Sequence, residues 1–403
     1  MTASARRSAQ VAAQPSEPVV GAVYRVWGDV TSPYTTKLWG ALHYRRIPYR
    51  QLRLTAEAYF ELLPRLVGMP IIPVMLSPDG RVLQDSTPIL EWLEDAHREP
   101  EHPSLVPPDP VLAFLDTLLE DVADEYLPRL SMHTRWGTEE ATQTLARRLA
   151  RQLTWGTAAE LDAVTAMVAS RQTGFDHHLA LTPEQRPSLD AQVRELLTVL
   201  DQHLPRHGYL LGGRPSRCDF AFYGQIRAHW WADPGSAPVV EQHGPEVIRW
   251  MQDLDELGDT RGLRDGQVRA RMTDHETLDA LWPTLAPLLR FASRTWLPLG
   301  RDGGRPSVER AKRFTTEVWG DPIEVSTHHY RAWAFEQVQR SWLRQPDAVL
   351  AELTPRFAEV GLLPGLVDGG IHHNGLYDDL TPPVVVDGIG DARVRHRRQR
   401  TGS

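Results

Sequence analysis

The run Ser32-Pro33-Tyr34-Thr35-Thr36-Lys37 constrains this chain more than any other segment, because it lies between two patterns of different period. Before it, Val23-Tyr24-Arg25-Val26-Trp27 reads as a strand. After it, Tyr34, Leu38, Ala41 and Leu42 fall on one face of a helix. A hydroxyl residue followed by proline suits that junction: the hydroxyl caps the helix, and proline at the first helical position gives up an N–H that had no partner anyway. The unpaired amides and the dipole at such a helix start favour an anion, a thiolate included. A lone hydroxyl before proline is normally only a cap, so the context must decide.

The context is a compact series of further elements. Ile47-Pro48-Tyr49 enters a second strand carrying Leu52 and Leu54, which with the first strand and helix predicts a right-handed βαβ unit. Ile71-Ile72-Pro73-Val74-Met75-Leu76, the turn Ser77-Pro78-Asp79-Gly80 and Arg81-Val82-Leu83 predict an antiparallel hairpin. Pro73 cannot donate to a ladder, and a cis peptide at Ile72–Pro73 would accommodate it, turning the backbone of Val74 outward toward a ligand. Asp85-Ser86-Thr87-Pro88 opens another helix, with Ile89, Trp92 and Leu93 as its apolar stripe and Asp85 or Ser86 as its cap. Two helix starts and a strand edge would form a pocket for a small peptide bearing carboxylates and a thiol.

In order and spacing these pieces resemble the thioredoxin-fold domain of the glutathione S-transferase family over residues 21–95. The resemblance continues in Tyr209-Leu210-Leu211-Gly212-Gly213-Arg214-Pro215-Ser216-Arg217-Cys218-Asp219-Phe220. There Ser216 and Asp219 form a capping box ahead of an apolar helix, a structural feature of the family's all-helical second domain. The fold class that follows is α/β plus all-α: a thioredoxin-like domain, a helical bundle and a small α+β extension. The resemblance implies that Ser32, with Thr31 as runner-up, donates to the sulfur of glutathione, bound as co-substrate. It also implies that Ile72, Pro73 and Val74 align the cysteinyl part, while Asp85 faces the γ-glutamyl ammonium and Ser86 its carboxylate. Many members carry a basic residue before the hairpin proline; this chain has Gly68-Met69-Pro70-Ile71, and Arg65 stands near enough to substitute. With no cysteine at position 32, thiol-reductase chemistry is disfavoured.

Residues 1–20 read as a disordered tail, 21–99 as the glutathione-binding domain, 108–258 as the helical domain, 259–385 as an extension packed on it, and 386–403 as a basic disordered tail. The proline-rich run from His102 to Pro110 is the interdomain linker. From Val111, Leu112, Leu115, Leu119 and Val122 form an apolar face, whereas Asp116, Glu120 and Asp124 read as a solvated one, as does the acidic run with Asp121 and Glu125. Helical periods follow over Leu145–Leu153, Ala159–Ala169 and Leu189–Leu204. In the extension, Leu278–Trp296 predicts a helix that starts late or kinks at Pro283 and Pro287. Two strands around Gly320-Asp321-Pro322 and a helix over Tyr330–Leu343 follow, resembling extensions of some bacterial transferase-like proteins.

A net charge of -8 argues against general nucleic-acid binding. The absence of a long apolar run argues against a membrane span. Met1–Pro18 lacks the apolar core of a secretory signal, and its Arg, Ser and Ala content leaves a transit peptide as the alternative to a disordered tail. Cys218 is the only cysteine, which removes any disulfide and fits a reducing, cytoplasmic setting. The pairs His177-His178, His328-His329 and His372-His373 lack the spaced ligands of a metal site, so no metal is expected. The expected activity is attack of the glutathione thiol on a small hydrophobic electrophile lying against Tyr126, Trp136, Trp155 and Phe175, in a homodimer. The contrasting reading is a non-catalytic binding or scaffold protein of the same shape.

Overall fold

Ser32 does cap a helix, and the strand before it founds a small sheet. In this computed structural model the described residues are 23–154, 156–174, 179, 181–257, 265–303, 313–326 and 328–367. The two expected terminal tails, Trp155, Phe175 and the pairs at 177–178 and 372–373 lie outside them, as does the His329 side chain. Strand β1 (Tyr24–Trp27) runs into α1 (Pro33–Tyr44) and β2 (Tyr49–Leu52). A π-helical turn (Ala58–Leu62), α2 (Leu63–Val67), β3 (Val74–Leu76), β4 (Val82–Gln84) and α3 (Ser86–Ala96) complete the first domain. The sheet order is β2-β1-β3-β4, with β1 parallel to β2 and antiparallel to β3, and β3 antiparallel to β4. This is the expected βαβ unit followed by a hairpin.

The second domain is all-helical. Asp109 opens α4 (Pro110–Glu125) by accepting from the amides of Val111 and Leu112 at 2.8 and 3.1 Å. There follow α5 (Leu127–Trp136), α6 (Glu139–Leu153), α7 (Ala158–Thr173), α8 (Arg186–His207) and α9 (Arg217–Gln225), the last continued by a π-helical stretch (Ile226–Trp231). The capping box of Ser216 and Asp219 starts α9, and Asp219 also accepts from the Leu210 amide at 2.9 Å. Helices α10 (Ala237–His243) and α11 (Pro245–Glu256) end this part. No helix of the described residues is long and apolar enough to cross a membrane.

The extension contains α12 (Asp265–Arg271), α13 (Leu278–Gly303), the hairpin β5 (Arg313–Val318) and β6 (Asp321–Ser326), α14 (His329–Leu343), α15 (Asp347–Val360) and α16 (Leu363–Val367). The expected late start of α13 is corrected: it runs unbroken through Pro283, Pro287 and Pro298. Pro298 cannot bond the carbonyl of Arg294, and the Trp319 amide from the hairpin turn takes that carbonyl at 2.8 Å instead. One continuous apolar core runs from Val26 and Leu38 through Leu115 and Leu196 to Phe335 and Phe357. Phe114 on α4 meets Trp342 at 5.4 Å and Phe357 at 6.0 Å, and those two rings stack. The extension is therefore fused to the helical domain rather than appended to it.

The polar face of α4 is the largest correction to the sequence reading. Asp116, Glu120, Asp124 and Glu125 are buried, not solvated. Lys37 of α1, itself fully buried, directs its ammonium to Glu120 at 2.6 Å, Asp124 at 2.5 Å and the Thr87 hydroxyl at 2.8 Å, which uses all three of its donors. Arg217 of α9 reaches Asp116 at 3.0 Å and the second oxygen of Glu120 at 3.5 Å. Glu120 thus joins the two domains, and these partners lower its pKa despite burial. Burial works against the charge on Lys37, yet Asp124 and Glu120 lift its pKa above the ordinary value.

The carboxylates outnumber these cations, and the surplus is pushed toward the neutral form. Burial raises Asp121 to about 7, opposed by the Trp296 indole at 2.7 Å and reinforced by the charges of Asp124 and Glu120. A carboxyl with a raised folded-state pKa holds a proton that the unfolded chain has already released. Its contribution to stability is present near pH 4 and is lost as pH rises through about 7. Asp121→Asn keeps an acceptor for Trp296 but removes this titration. The variant should be more stable than the parent at pH 8, with the advantage shrinking toward pH 5, as read by thermal unfolding across that range. An advantage independent of pH would show that Asp121 is not the titrating group.

Candidate functional site

The turn from Asp29 to Ser32 is fixed from both sides. Within the turn, the Thr31 amide and hydroxyl donate to Asp29 Oδ1 at 2.8 and 2.5 Å. From the helical domain, Arg135 Nη1 and His229 Nε2 both donate to the Thr31 carbonyl, at 3.1 and 3.2 Å. A carbonyl can only accept, so Nε2 of His229 carries a proton. Burial and the neighbouring Arg135 keep His229 well below the ordinary imidazole value, hence neutral at pH 7. Arg135 is itself held by Asp233 at 2.7 Å. His229 lies on the π-helical stretch after α9, a distortion that often accompanies functional positions.

Of the two expected hydroxyls, Ser32 has the freer hydrogen. Its oxygen accepts from the Thr35 amide at 3.3 Å, and no acceptor among the described residues takes its O–H. Thr31 is buried and committed to Asp29. Both residues line a cleft of about 280 Å³ between the domains. Its apolar walls come from Leu54, Tyr59, Phe60 and Ile72 on one side and Met132, Trp136, Leu153 and Met167 on the other. Of the aromatics expected to face a second substrate, Trp136 lines this cleft. Tyr126 does not: it is fully buried and donates to Gln192 in the core.

The remaining expected residues divide. The Ile72–Pro73 peptide is cis, and Ile72 reaches the cleft with no main-chain hydrogen bond from the described residues on its N–H or C=O. The expectation for Val74 is corrected. It stands inside the sheet, paired with Trp27 on one side and Gln84 on the other, so it presents no strand edge. Arg65 is exposed, donates back to the Glu61 carbonyl at 3.2 Å, and is not among the residues lining the cleft. Arg171 of α7 lies there instead, over the Tyr59 ring at 5.7 Å.

Asp85 and Ser86 also depart from the expectation. Asp85 occupies the cap position of α3 but makes no capping bond there. Its φ of 71° is a region costly to any residue but glycine, of the kind found where surrounding structure forces a side chain into place. Here the carboxylate accepts from the hydroxyl of Tyr330 on α14, and burial raises its pKa. Ser86 is buried and its hydroxyl has no partner among the described residues. The subsite that the resemblance gives to the γ-glutamyl end is contacted by the chain's own extension, with Asp85 and Tyr330 both half-buried. Tyr330, Arg135, His229 and Asp29 carry no sequence motif, and only their contacts in three dimensions single them out.

Residues 27–101 match the N-terminal domain of glutathione S-transferases, and residues 167–257 match the C-terminal domain. Similar solved structures include a glutathione S-transferase from Rhodospirillum rubrum F11, 19% identical over 60% of this chain and 89% of that one, with a TM-score of 0.39. The β-etherase LigF from Sphingobium sp. strain SYK-6 is 17% identical over 58% of this chain and 95% of its own, with a TM-score of 0.44. A glutathione S-transferase from Methylobacterium radiotolerans JCM 2831, in complex with glutathione sulfonate, is 20% identical over 63% and 96%, with a TM-score of 0.34. No curated protein matches the chain. With its thioredoxin-like sheet followed by a helical domain that opens α9 with a capping box, this chain carries the N-terminal and C-terminal domains of the glutathione S-transferase family, in that order, over residues 27–101 and 167–257.

Proposed function

We propose that this protein is a glutathione-dependent transferase, in which Ser32 stabilises the thiolate of glutathione for attack on a small hydrophobic electrophile. The observation that carries the reading is the free Ser32 hydroxyl at the start of α1, opening into an apolar cleft of about 280 Å³. A free thiol has a pKa of about 8.5, so catalysis requires its anion to be favoured at neutral pH. The Ser32 O–H and the first amides of α1 supply donors for that charge. The main chain of Ile72 would align the cysteinyl part, and Trp136, Met132 and Phe60 would hold the electrophile beside the sulfur. A cytoplasmic location, expected from the lone cysteine, belongs to the same proposal.

One observation favours the second reading, a non-catalytic binding or scaffold protein: Tyr330 already holds one oxygen of the Asp85 carboxylate. A γ-glutamyl ammonium would have to share the Asp85 carboxylate with Tyr330, which holds its Oδ2. The homodimer implied by the resemblance is likewise a proposal. Helices α13, α14 and α15 pack on α4, so a second copy must dock elsewhere than on that face.

Ser32→Ala should lower turnover with a chlorodinitrobenzene electrophile while leaving glutathione affinity nearly intact. Loss of one donor to a charged sulfur costs roughly 1.5–3 kcal/mol, or about tenfold to a hundredfold in rate. The absorbance of the bound thiolate should titrate at higher pH in this variant, and circular dichroism should confirm that the lost cap leaves α1 folded. If calorimetry detects no glutathione binding by the parent at millimolar ligand, the transferase reading fails and the scaffold reading stands.

A further inference from the structure

The end of α3 and the linker after it bring together two imidazoles and a carboxylate that the thiol cleft does not use. The sequence there is His97-Arg98-Glu99-Pro100-Glu101-His102. One ligand atom from each of His97, Glu99 and His102 lies within 4.8 Å of the other two. We propose that these three residues form a binding site for one divalent transition-metal ion of the zinc type.

Hydrogen bonding has already oriented both rings. Nδ1 of His102 is 2.8 Å from the Arg45 carbonyl, which can only accept, so Nδ1 bears the hydrogen and Nε2 keeps a lone pair. Nε2 of His97 is 2.9 Å from the Tyr24 hydroxyl, which leaves Nδ1 as its remaining nitrogen. A ring anchored through one nitrogen to a carbonyl or hydroxyl, with the other nitrogen unclaimed, is the arrangement that metal-ligating histidines adopt. The rings stand 4.9 Å apart at 73°, edge to face.

The backbone is held as well. His97 closes α3 through its amide to the Leu93 carbonyl at 3.0 Å, and the His102 amide bonds the Glu99 carbonyl at 2.9 Å. Arg45 binds the carbonyls of His97 and Pro103 at 2.6 and 3.1 Å, fixing both ends of the segment. Its own charge faces Glu94 at 3.3 Å, and the carboxyl end of the α3 dipole adds negative potential for a cation. Ligand atoms at 2.0–2.1 Å around zinc lie about 3.4 Å apart in a tetrahedron. The exposed Glu99 side chain is free to rotate toward the ion, and the imidazoles would close the rest of the present spacing by small ring shifts on binding. Two imidazoles and one carboxylate suit zinc, cobalt or nickel better than magnesium or calcium, and three protein ligands leave one position for water. Such an ion would clip the last helix of the thioredoxin-like domain to the linker.

The test uses the full chain, stripped with a chelator and titrated with Co²⁺ in place of zinc. Saturable binding of one equivalent with the visible d–d absorption of a low-coordinate ion is expected, along with a metal-dependent rise in the thermal midpoint. His102→Gln and Glu99→Gln should abolish the spectrum, the latter at an exposed position where folding is not at risk. Tyr24→Phe, which frees the His97 ring, should weaken binding about tenfold. A chain that binds no Co²⁺ overturns the proposal. So does a spectrum that survives both ligand substitutions, since the ion would then sit on other histidines.

Discussion

The buried ammonium of Lys37 is the contact on which the rest of this structure depends. It comes from the helix that begins at Ser32, yet its carboxylate partners lie on α4, more than eighty residues away in sequence. Burying one charge is prohibitively costly, and burying a matched set is tolerable only with close geometry and complete hydrogen bonding. Lys37 meets both conditions, and Arg217 performs the same service for Asp116 and the other oxygen of Glu120. The position of α1, and so of Ser32, is thereby tied to the helical domain. Arg135 and His229 tie the preceding turn to the same domain independently.

The extension completes this arrangement rather than merely covering it. Tyr330 donates to Asp85, Arg331 approaches Glu125 at 4.0 Å, and the Trp296 indole donates to Asp121. Without these side chains, the acidic end of α4 would face water, as in the solvated face that its sequence suggests. With them, the carboxylates are buried and in excess, and several are driven toward protonation. The consequence for function is specific. The extension leaves the Ser32 end of the cleft untouched and places Tyr330 against Asp85 at the other end, so the two halves of the expected thiol-peptide site have different surroundings.

What could be read from the sequence was local. The Ser32–Pro33 helix start, the Pro73 strand entrance, the capping box at Ser216 and Asp219, and the hairpin from Arg313 to Ser326 are each set by neighbours within a few residues. The misreadings share one cause: they concern partners far along the chain. Asp116, Glu120 and Asp124 have the spacing of a solvated helix face, and nothing on α4 discloses Lys37 or Arg217. Pro73 predicts an outward turn at Val74 because proline disrupts a ladder, whereas the disruption stops at Ile72 and the sheet resumes one residue after Pro73. Asp85 and Tyr330 are 245 positions apart, beyond any periodicity or motif. The proline-containing α13 runs unbroken, and a distant amide, that of Trp319, takes a carbonyl that proline leaves unpaired.

The Lys37 junction holds the two domains together. Equilibrium unfolding of Lys37→Met at pH 8 measures this directly, because the substitution keeps the volume and leaves Glu120 and Asp124 without their ammonium. Removing one partner of a buried ion pair should cost about 3–5 kcal/mol, compared with at most about 1 kcal/mol for an exposed pair. The loss should shrink toward pH 5, where Asp124 is protonated more readily than an ordinary carboxyl because burial raises it to about 6. A loss below about 1 kcal/mol, or one of the same size at both pH values, would contradict the central role given to this contact.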